Sequence, residues 1–163
     1  MTTPSPAPSP AASPAPSPAP GPAEGPDDGP EEGPAEGADP RLGLTVVHRR
    51  YVPYAHAHYA GDLVDGAYSL GCFGDVATEV CIRTDGDEGL FASYSDVQFL
   101  APVRAGDVLE VSARVIRVGR RSRDLAFEAR VVCRGRPDRS AGAAEVLPQP
   151  LVVTRATGTV VVP

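Results

Sequence analysis

The chain contains no lysine, so its fifteen residues with a permanently basic side chain are all arginine. This absence excludes two large classes of protein. A pyridoxal phosphate enzyme needs a lysine to form the Schiff base with its cofactor. A P-loop nucleotide-binding protein needs the lysine of its glycine-rich loop. Neither class can therefore describe this chain.

The chain also has little cysteine and no long apolar run. Its three cysteines, Cys72, Cys81 and Cys133, are odd in number and lack the spacing of a metal site. They are typical of buried small hydrophobic residues in a reducing cytosol, so we expect a cytoplasmic protein. No apolar run is long enough to cross a membrane, so no membrane partner is expected. The net charge of −6 and the lack of a recognition motif argue against nucleic acid as a partner.

Large apolar residues are missing from residues 1–40, apart from Met1, and Pro, Ala, Ser, Gly, Asp and Glu make up almost all of this segment. Such a segment cannot bury enough apolar area to offset the entropy of ordering it. We therefore predict a disordered tail over residues 1–41. It lacks the basic start and apolar core of a signal peptide. This tail could make the protein more soluble or dock a partner, and both roles stay open. Residues 42–163 are predicted to form one small domain.

A long helix is predicted after a first strand at residues 44–52 and a loop at residues 56–62. Asp62 is a good N-cap residue, and the helix is expected to run from there to about Arg83. Small and apolar residues recur on one face at helical spacing. These residues are Leu63, Ala67, Leu70, Gly74, Ala77 and Cys81. Because the face is lined by small side chains, the helix can lie close against a sheet.

The remainder of the chain has the alternating pattern of β-strands. Strands are predicted at residues 89–100, 108–118, 125–133 and 151–162, with a loop at residues 135–150. Gly119 and Arg120 form a short hairpin turn between two of them. The fold class is therefore α+β, with the order β-α-β-β-β-β. One helix cannot cover both faces and both edges of such a sheet, so we expect self-association into a homodimer or a higher homo-oligomer.

Four segments carry a resemblance to a known family. They are AHYAGDLVDGA at 57–67, FGDVATE at 73–79, DGDEGLF at 85–91 and FLAPVRAGD at 99–107. The last is common to many hotdog proteins, whereas the first two are much narrower. The chain resembles the hotdog-fold β-amino acyl-CoA ammonia lyases over roughly residues 44–134. Two positions depart from that pattern, His56 in place of Asp and Asp62 in place of Asn.

The resemblance implies an antiparallel sheet wrapped around one long central helix, with sites at a dimer interface. It also implies reversible elimination of ammonia from a short 3-aminoacyl-CoA, such as 3-aminobutyryl-CoA, to give the 2-enoyl-CoA. An acyl-CoA thioester and ammonia would then be the partners. The reaction needs no metal or organic cofactor, and coenzyme A enters only as part of the substrate.

This chemistry needs a base for the proton beside the thioester, a stabiliser of the enolate oxygen, and a carboxylate for the β-ammonium group. Asp75 and Glu79 share a helix face, so they can divide the two acid roles. The backbone N–H groups near residues 64–67 carry the positive end of the helix dipole and can hold the oxygen. His58 and Tyr59 lie just before the helix and can polarise the substrate or relay a proton. The predicted catalytic residues are Asp75, Glu79, His58 and Tyr59, and the predicted substrate-binding residues are Asp65, Gly66, Ala67 and Arg123.

Each of these residues has a structural alternative. Asp75 and Glu79 could form a solvated helix face, and His58 and Tyr59 could pack the loop. His56 and His58 have the spacing of a metal pair, but no third ligand is evident. Arg123 belongs to an arginine cluster that could hold coenzyme A phosphates or simply form a soluble strand edge. Three functional alternatives also stay open: an acyl-CoA thioesterase, an enoyl-CoA hydratase, and a non-catalytic acyl-CoA-binding protein.

Overall fold

The computed structural model describes residue 37 and residues 39–163. The predicted disordered tail falls mostly on residues 1–36 and 38, which lie outside the described residues. At the end of that predicted tail, Arg41 donates to Asp39 and to Asp85. The elements, in chain order, are strand β1 (Thr45–Tyr51), a 3-10 turn (Tyr54–His56), strands β2 (Ala57–Tyr59) and β3 (Leu63–Val64), helix α1 (Gly66–Asp85), and strands β4 (Leu90–Phe99), β5 (Val108–Val118), β6 (Ser122–Gly135) and β7 (Ala144–Val161).

Five strands form one antiparallel sheet with the order β1-β5-β6-β7-β4. The pairing of β5 with β6 follows directly from the predicted hairpin, where the N–H of Gly119 donates to the carbonyl of Ser122. Strand β4 follows the helix, crosses to the far side and pairs with β7, so β1 and β4 form the two edges. The helix lies across one face of this sheet. This is the hotdog arrangement that the sequence predicted.

Helix α1 packs on the sheet through a stripe that shares Ala77 and Cys81 with the predicted one but is otherwise shifted around the helix. Its buried residues are Ser69, Cys72, Phe73, Val76, Ala77, Val80 and Cys81. These positions follow a 3-4 spacing, and they include the large side chains that the predicted small-residue stripe left out. Phe73 stacks on Phe127 of β6 with ring centroids 5.0 Å apart. The larger apolar side chains therefore decide which face of the helix turns toward the sheet.

The predicted N-cap of the helix was three residues too early. The helix begins at Gly66, and the side chain of Asp65 accepts a hydrogen bond from the N–H of Tyr68 at 3.1 Å. Asp62 instead has a φ of 60°, a left-handed turn conformation, in the tight connection between β2 and β3. Both aspartates suit an N-cap by residue type. The short β2–β3 hairpin, which was not predicted, takes Asp62 into its connection and leaves Asp65 at the start of the helix.

Strand β7 begins at Ala144, so the predicted loop at residues 135–150 is wrong in its second half. Pro148 and Pro150 suggested a loop because proline cannot donate a ladder hydrogen bond. Within the described chain, β4 pairs with β7 only from Thr154 onward, so the first part of β7 has a partner strand on one side alone. Pro148 and Pro150 are tolerated because they lie at a register irregularity between Val146 and Leu151, where the ladder with β6 is also interrupted.

A search of the helices in the described residues finds none that is both long enough and apolar enough to span a membrane.

Candidate active site

The first turn of α1 presents backbone N–H donors, as the sequence predicted, but fewer than the predicted set near residues 64–67. The N–H of Val64 is taken by the carbonyl of Val103 at 3.1 Å. No hydrogen-bond partner outside the helix is found among the described residues for the N–H groups of Gly66 and Ala67. The available donors are therefore those of Gly66 and Ala67, at the positive end of the helix dipole.

A cleft of about 470 Å³ opens beside this turn, and we call it the Phe99 cleft. Its lining brings together three of the predicted site residues, Tyr59, Asp65 and Gly66. The other lining residues are Val64, Ser69, Phe99, Leu100, Ala101, Pro102, Val103 and Thr154. The Phe99 ring lies so close to Gly66 that a Cβ at position 66 would be 2.6 Å from it. A side chain at position 66 would therefore have to displace the Phe99 ring, and any ligand approaching Gly66 must pass beside that ring.

A second cleft, of about 360 Å³, adjoins the same turn and shares Asp65 with the first, and we call it the Asp75 cleft. It is lined by Arg50, His56, Asp65, Tyr68, Gly71, Cys72 and Asp75. Arg50 donates to the Asp75 carboxylate at 2.7 Å, and the Asp75 side chain is half exposed. Asp65 lines both clefts. The structure thus places Asp75 in a small polar cleft next to the helix start.

Glu79 lies one turn further along the helix in a different environment. His48 on β1 lies 2.5 Å from one carboxylate oxygen through its Nε2, and Arg83 donates to the other at 2.6 Å. The hydrogen bond with His48, followed by that from Arg83, lowers the pKa of Glu79 below its usual value. Asp75 and Glu79 therefore share a helix stripe, as predicted, but each is held by its own basic partner.

His58 and Tyr59 lie in β2 and are exposed. Their rings pack edge to face with centroids 4.5 Å apart. Tyr59 reaches the Phe99 cleft, whereas His58 lines neither of the two clefts. No group of three or more His, Cys, Asp or Glu residues that could hold a metal ion is found in the part of the chain that the structure describes.

Arg123 lies in a place that does not suit its predicted role in phosphate binding. Its side chain is 1% exposed and forms an ion pair with Asp85 at the end of α1. It also donates to the carbonyls of Gly119 and Ser122, at 2.8 and 2.7 Å. A guanidinium held in this way cannot reach a phosphate without giving up its buried ion pair with Asp85 and both carbonyl acceptors. Arg123 therefore ties the end of the helix to the β5–β6 hairpin.

Four residues that line the two clefts or contact Glu79 were not predicted as site residues: His48, Arg50, Tyr68 and Phe99. His48 and Arg50 lie on a strand that is distant from the helix in sequence, so only strand–helix packing brings them to Glu79 and Asp75. Phe99 belonged to a segment interpreted as a fold marker. Tyr68 could have been found, because Tyr68, Cys72 and Asp75 are spaced i, i+4 and i+7 along one helix face.

Comparison with known proteins gives a consistent assignment. Residues 66–137 match the thioesterase superfamily. The 3-aminobutyryl-CoA ammonia lyase of Acetoanaerobium sticklandii is 55% identical over 107 residues, which are 66% of this chain and 85% of the relative. The structure of the β-alanyl-CoA:ammonia lyase from Clostridium propionicum superposes with a TM-score of 0.70 at 35% identity, covering 74% of this chain and 86% of that one.

A more distant neighbour agrees in fold alone. The hexameric hotdog fold thioesterase of Campylobacter jejuni has a TM-score of 0.58 at 19% identity, covering 76% of this chain and 82% of the other. The two ammonia lyases are much more similar in sequence, and each is matched over most of its length. The chain therefore belongs to the hotdog-fold β-amino acyl-CoA ammonia lyase family.

Proposed function

We propose that this chain is a carbon–nitrogen lyase that reversibly eliminates ammonia from a short 3-aminoacyl-CoA, such as 3-aminobutyryl-CoA, to give the 2-enoyl-CoA. The similarity to two ammonia lyases supports the reaction class. One structural observation carries the proposal to this chain. The first helical turn, whose Gly66 and Ala67 N–H groups have no partner outside the helix among the described residues, adjoins two clefts, and one of these clefts contains the Asp75 carboxylate.

The first step is the positioning of the thioester. Its oxygen lies against the N–H groups of Gly66 and Ala67, reached from the Phe99 cleft. These donors and the helix dipole stabilise negative charge on that oxygen as the enolate develops. Phe99 is 58% exposed, so its ring can shift while the acyl group enters. Tyr59 lies at the same cleft and contacts the substrate from the β2 side.

The second step is the transfer of the proton from C2 to a carboxylate. We assign this role to Glu79, whose lowered pKa keeps its carboxylate ionised and ready to accept a proton. Because Glu79 lies about 20 Å along the helix from Gly66, it acts on a thioester held at the helix start of a second subunit in the homo-oligomer. The Glu79 side chain is 33% exposed, so it can return the proton to solvent. His58, in the exposed β2 strand, is not needed for this transfer.

The third step is the departure of ammonia from C3. The electron pair of the C2–H bond forms the double bond, and the C–N bonding pair leaves with the nitrogen. The Asp75 carboxylate balances the charge of the β-ammonium group before this step. Addition of ammonia to the enoyl thioester is the same sequence in reverse. These steps use only side chains and backbone groups of the protein, and our proposal includes no cofactor.

We further propose a homo-oligomer in the cytoplasm. The outer edge of β4 has no partner strand among the described residues, and unpaired edges are usually covered in folded proteins. The thioesterase neighbour from Campylobacter jejuni is hexameric, which supports an oligomer of this fold. The size of the assembly follows from light scattering of the purified protein, where a monomer at micromolar concentration would contradict the proposal.

One assay separates the proposed reaction from its rivals. The protein is incubated with crotonyl-CoA, with and without ammonium. We expect the enoyl absorbance to fall only when ammonium is present. A fall without ammonium would instead assign a hydratase, and release of free thiol would assign a thioesterase, the reaction for which the superfamily is named. No change under any condition would leave a binding protein.

A further inference from the structure

The Asp75 cleft contains a tyrosine that the proposed steps do not use. Tyr68, Cys72 and Asp75 lie on one face of the helix, and Arg50 and His56 close the cleft from β1 and from the 3-10 turn. The His56 and Tyr68 rings lie 4.9 Å apart. The aromatic ring of Tyr68 therefore forms a wall of the cleft that holds the Asp75 carboxylate.

The Tyr68 hydroxyl is buried and has no hydrogen-bond partner among the described residues. A buried polar group without a partner is unfavourable and is uncommon in native proteins, so it calls for a physical reason. Burial raises the pKa of this hydroxyl, with the Arg50 guanidinium acting in the opposite direction. The phenol is therefore neutral at physiological pH, with lone pairs that can accept a hydrogen bond from a donor placed in the cleft.

The charge of the cleft favours a cation as that donor. Two carboxylates, Asp65 and Asp75, face one guanidinium, Arg50, so the carboxylates outnumber the guanidinium in this cleft. One oxygen of Asp65 is used to cap the helix, and Asp75 holds Arg50. Arg50 is itself a cation with several N–H donors, and it also donates to Cys72 Sγ at 3.6 Å. The cleft therefore accommodates a positively charged N–H donor, and its net charge disfavours a phosphate.

We propose that Tyr68 recognises the β-amino group of the substrate, accepting a hydrogen bond from the ammonium while Asp75 balances its charge. This inference rests on the proposed function and adds a specificity-determining residue to it. The substrate ammonium takes the place of the Arg50 guanidinium at Asp75, and Arg50, which is half exposed, moves outward. Tyr68 exchanges no proton in this role, since the C2 proton goes to Glu79 and the nitrogen carries away the C–N bonding pair.

The test is the Tyr68→Phe variant, which removes only the hydroxyl. Loss of a hydrogen bond to a charged group should raise the KM for ammonium about tenfold or more in the addition to crotonyl-CoA. The KM for crotonyl-CoA should change by no more than about twofold, because the thioester lies in the other cleft. Since the hydroxyl has no partner to lose, the variant should unfold in urea at the same concentration as the wild type or a higher one.

Tyr94→Phe is the matched control. The Tyr94 hydroxyl donates to the carbonyl of Leu70 at 2.8 Å, so its loss should lower stability and leave the KM for ammonium unchanged. If Tyr68→Phe folds poorly, Tyr68→Met serves as the second variant and should show the same rise in the KM for ammonium. An unchanged KM for ammonium in the folded variants, or an equal rise in the KM for crotonyl-CoA, would overturn the inference. If the wild type shows no ammonium-dependent reaction at all, the proposed function fails instead.

Discussion

The close contact between Gly66 and Phe99 can be tested by measuring the coupling energy between substitutions at these two positions. A Cβ at position 66 would be 2.6 Å from the ring of Phe99, so Gly66→Ala forces the ring to move away. Phe99 is 58% exposed, so rather less than half of it is covered. Full burial of a phenylalanine side chain stabilises by about 1.5–3 kcal/mol, so displacement of the ring should destabilise by about 1 kcal/mol.

The opposing effect is the helix preference of alanine, which exceeds that of glycine by about 1 kcal/mol in a helix interior and by less at the first position. The two effects nearly cancel, so Gly66→Ala alone should leave the free energy of unfolding unchanged or slightly lower. In a Phe99→Ala background the ring is absent, and Gly66→Ala should then stabilise. The double-mutant cycle should therefore give a coupling energy of about 1 kcal/mol between the two positions.

Gly74→Ala is the matched control, because a Cβ at position 74 would meet nothing within 4 Å. It should stabilise by about 1 kcal/mol in both backgrounds and show no coupling to position 99. The measurement is urea unfolding at one fixed protein concentration, since oligomerisation makes the apparent stability depend on concentration. A coupling energy of zero between Gly66 and Phe99 would refute the placement of the ring over the helix start.

Three further predictions concern the carboxylates and the buried arginine. Glu79→Gln should abolish ammonium-dependent loss of crotonyl-CoA while circular dichroism stays native, whereas Glu128→Gln on the sheet should be active; near-normal turnover of Glu79→Gln would contradict its assignment as the base. Arg123→Met should lower the free energy of unfolding by at most about 3–5 kcal/mol, because Asp85 loses its buried partner and keeps the more exposed Arg41. If Arg123→Met had normal stability but a raised KM for crotonyl-CoA, Arg123 would bind phosphate as the sequence predicted. Burial acts to raise the pKa of Asp85, but hydrogen bonds from Thr84 and Arg123 outweigh it and hold the pKa below its usual value. Its contribution to stability is therefore present above that value and lost as the pH falls through the lowered pKa, so Asp85→Asn should show a shallower loss of stability on acidification.

The candidate site was predictable where it depends on one continuous segment. Helical spacing alone placed Asp75 and Glu79 on one stripe, and the order of loop and helix placed Tyr59, Asp65 and Gly66 near one another. The basic partners of the two acids could not be predicted, because His48 and Arg50 reach the helix only through the packing of β1 on α1. Arg123 was misjudged for a related reason. Its burial depends on where the β5–β6 hairpin meets the end of the helix, and an arginine in a hairpin is ordinarily exposed.

The sequence by itself determined that this is one α+β domain of a recognisable family, with a single long helix and a run of antiparallel strands, because periodicity and local motifs are properties of neighbouring residues. It also determined the reaction class, through the segments around the helix start. The tertiary structure decided which face of the helix is buried, which aspartate caps it, and which residue partners each carboxylate. Those outcomes depend on contacts between segments far apart in the chain: Phe73 packs on Phe127, Phe99 lies against Gly66, His48 contacts Glu79, and Arg50 pairs with Asp75.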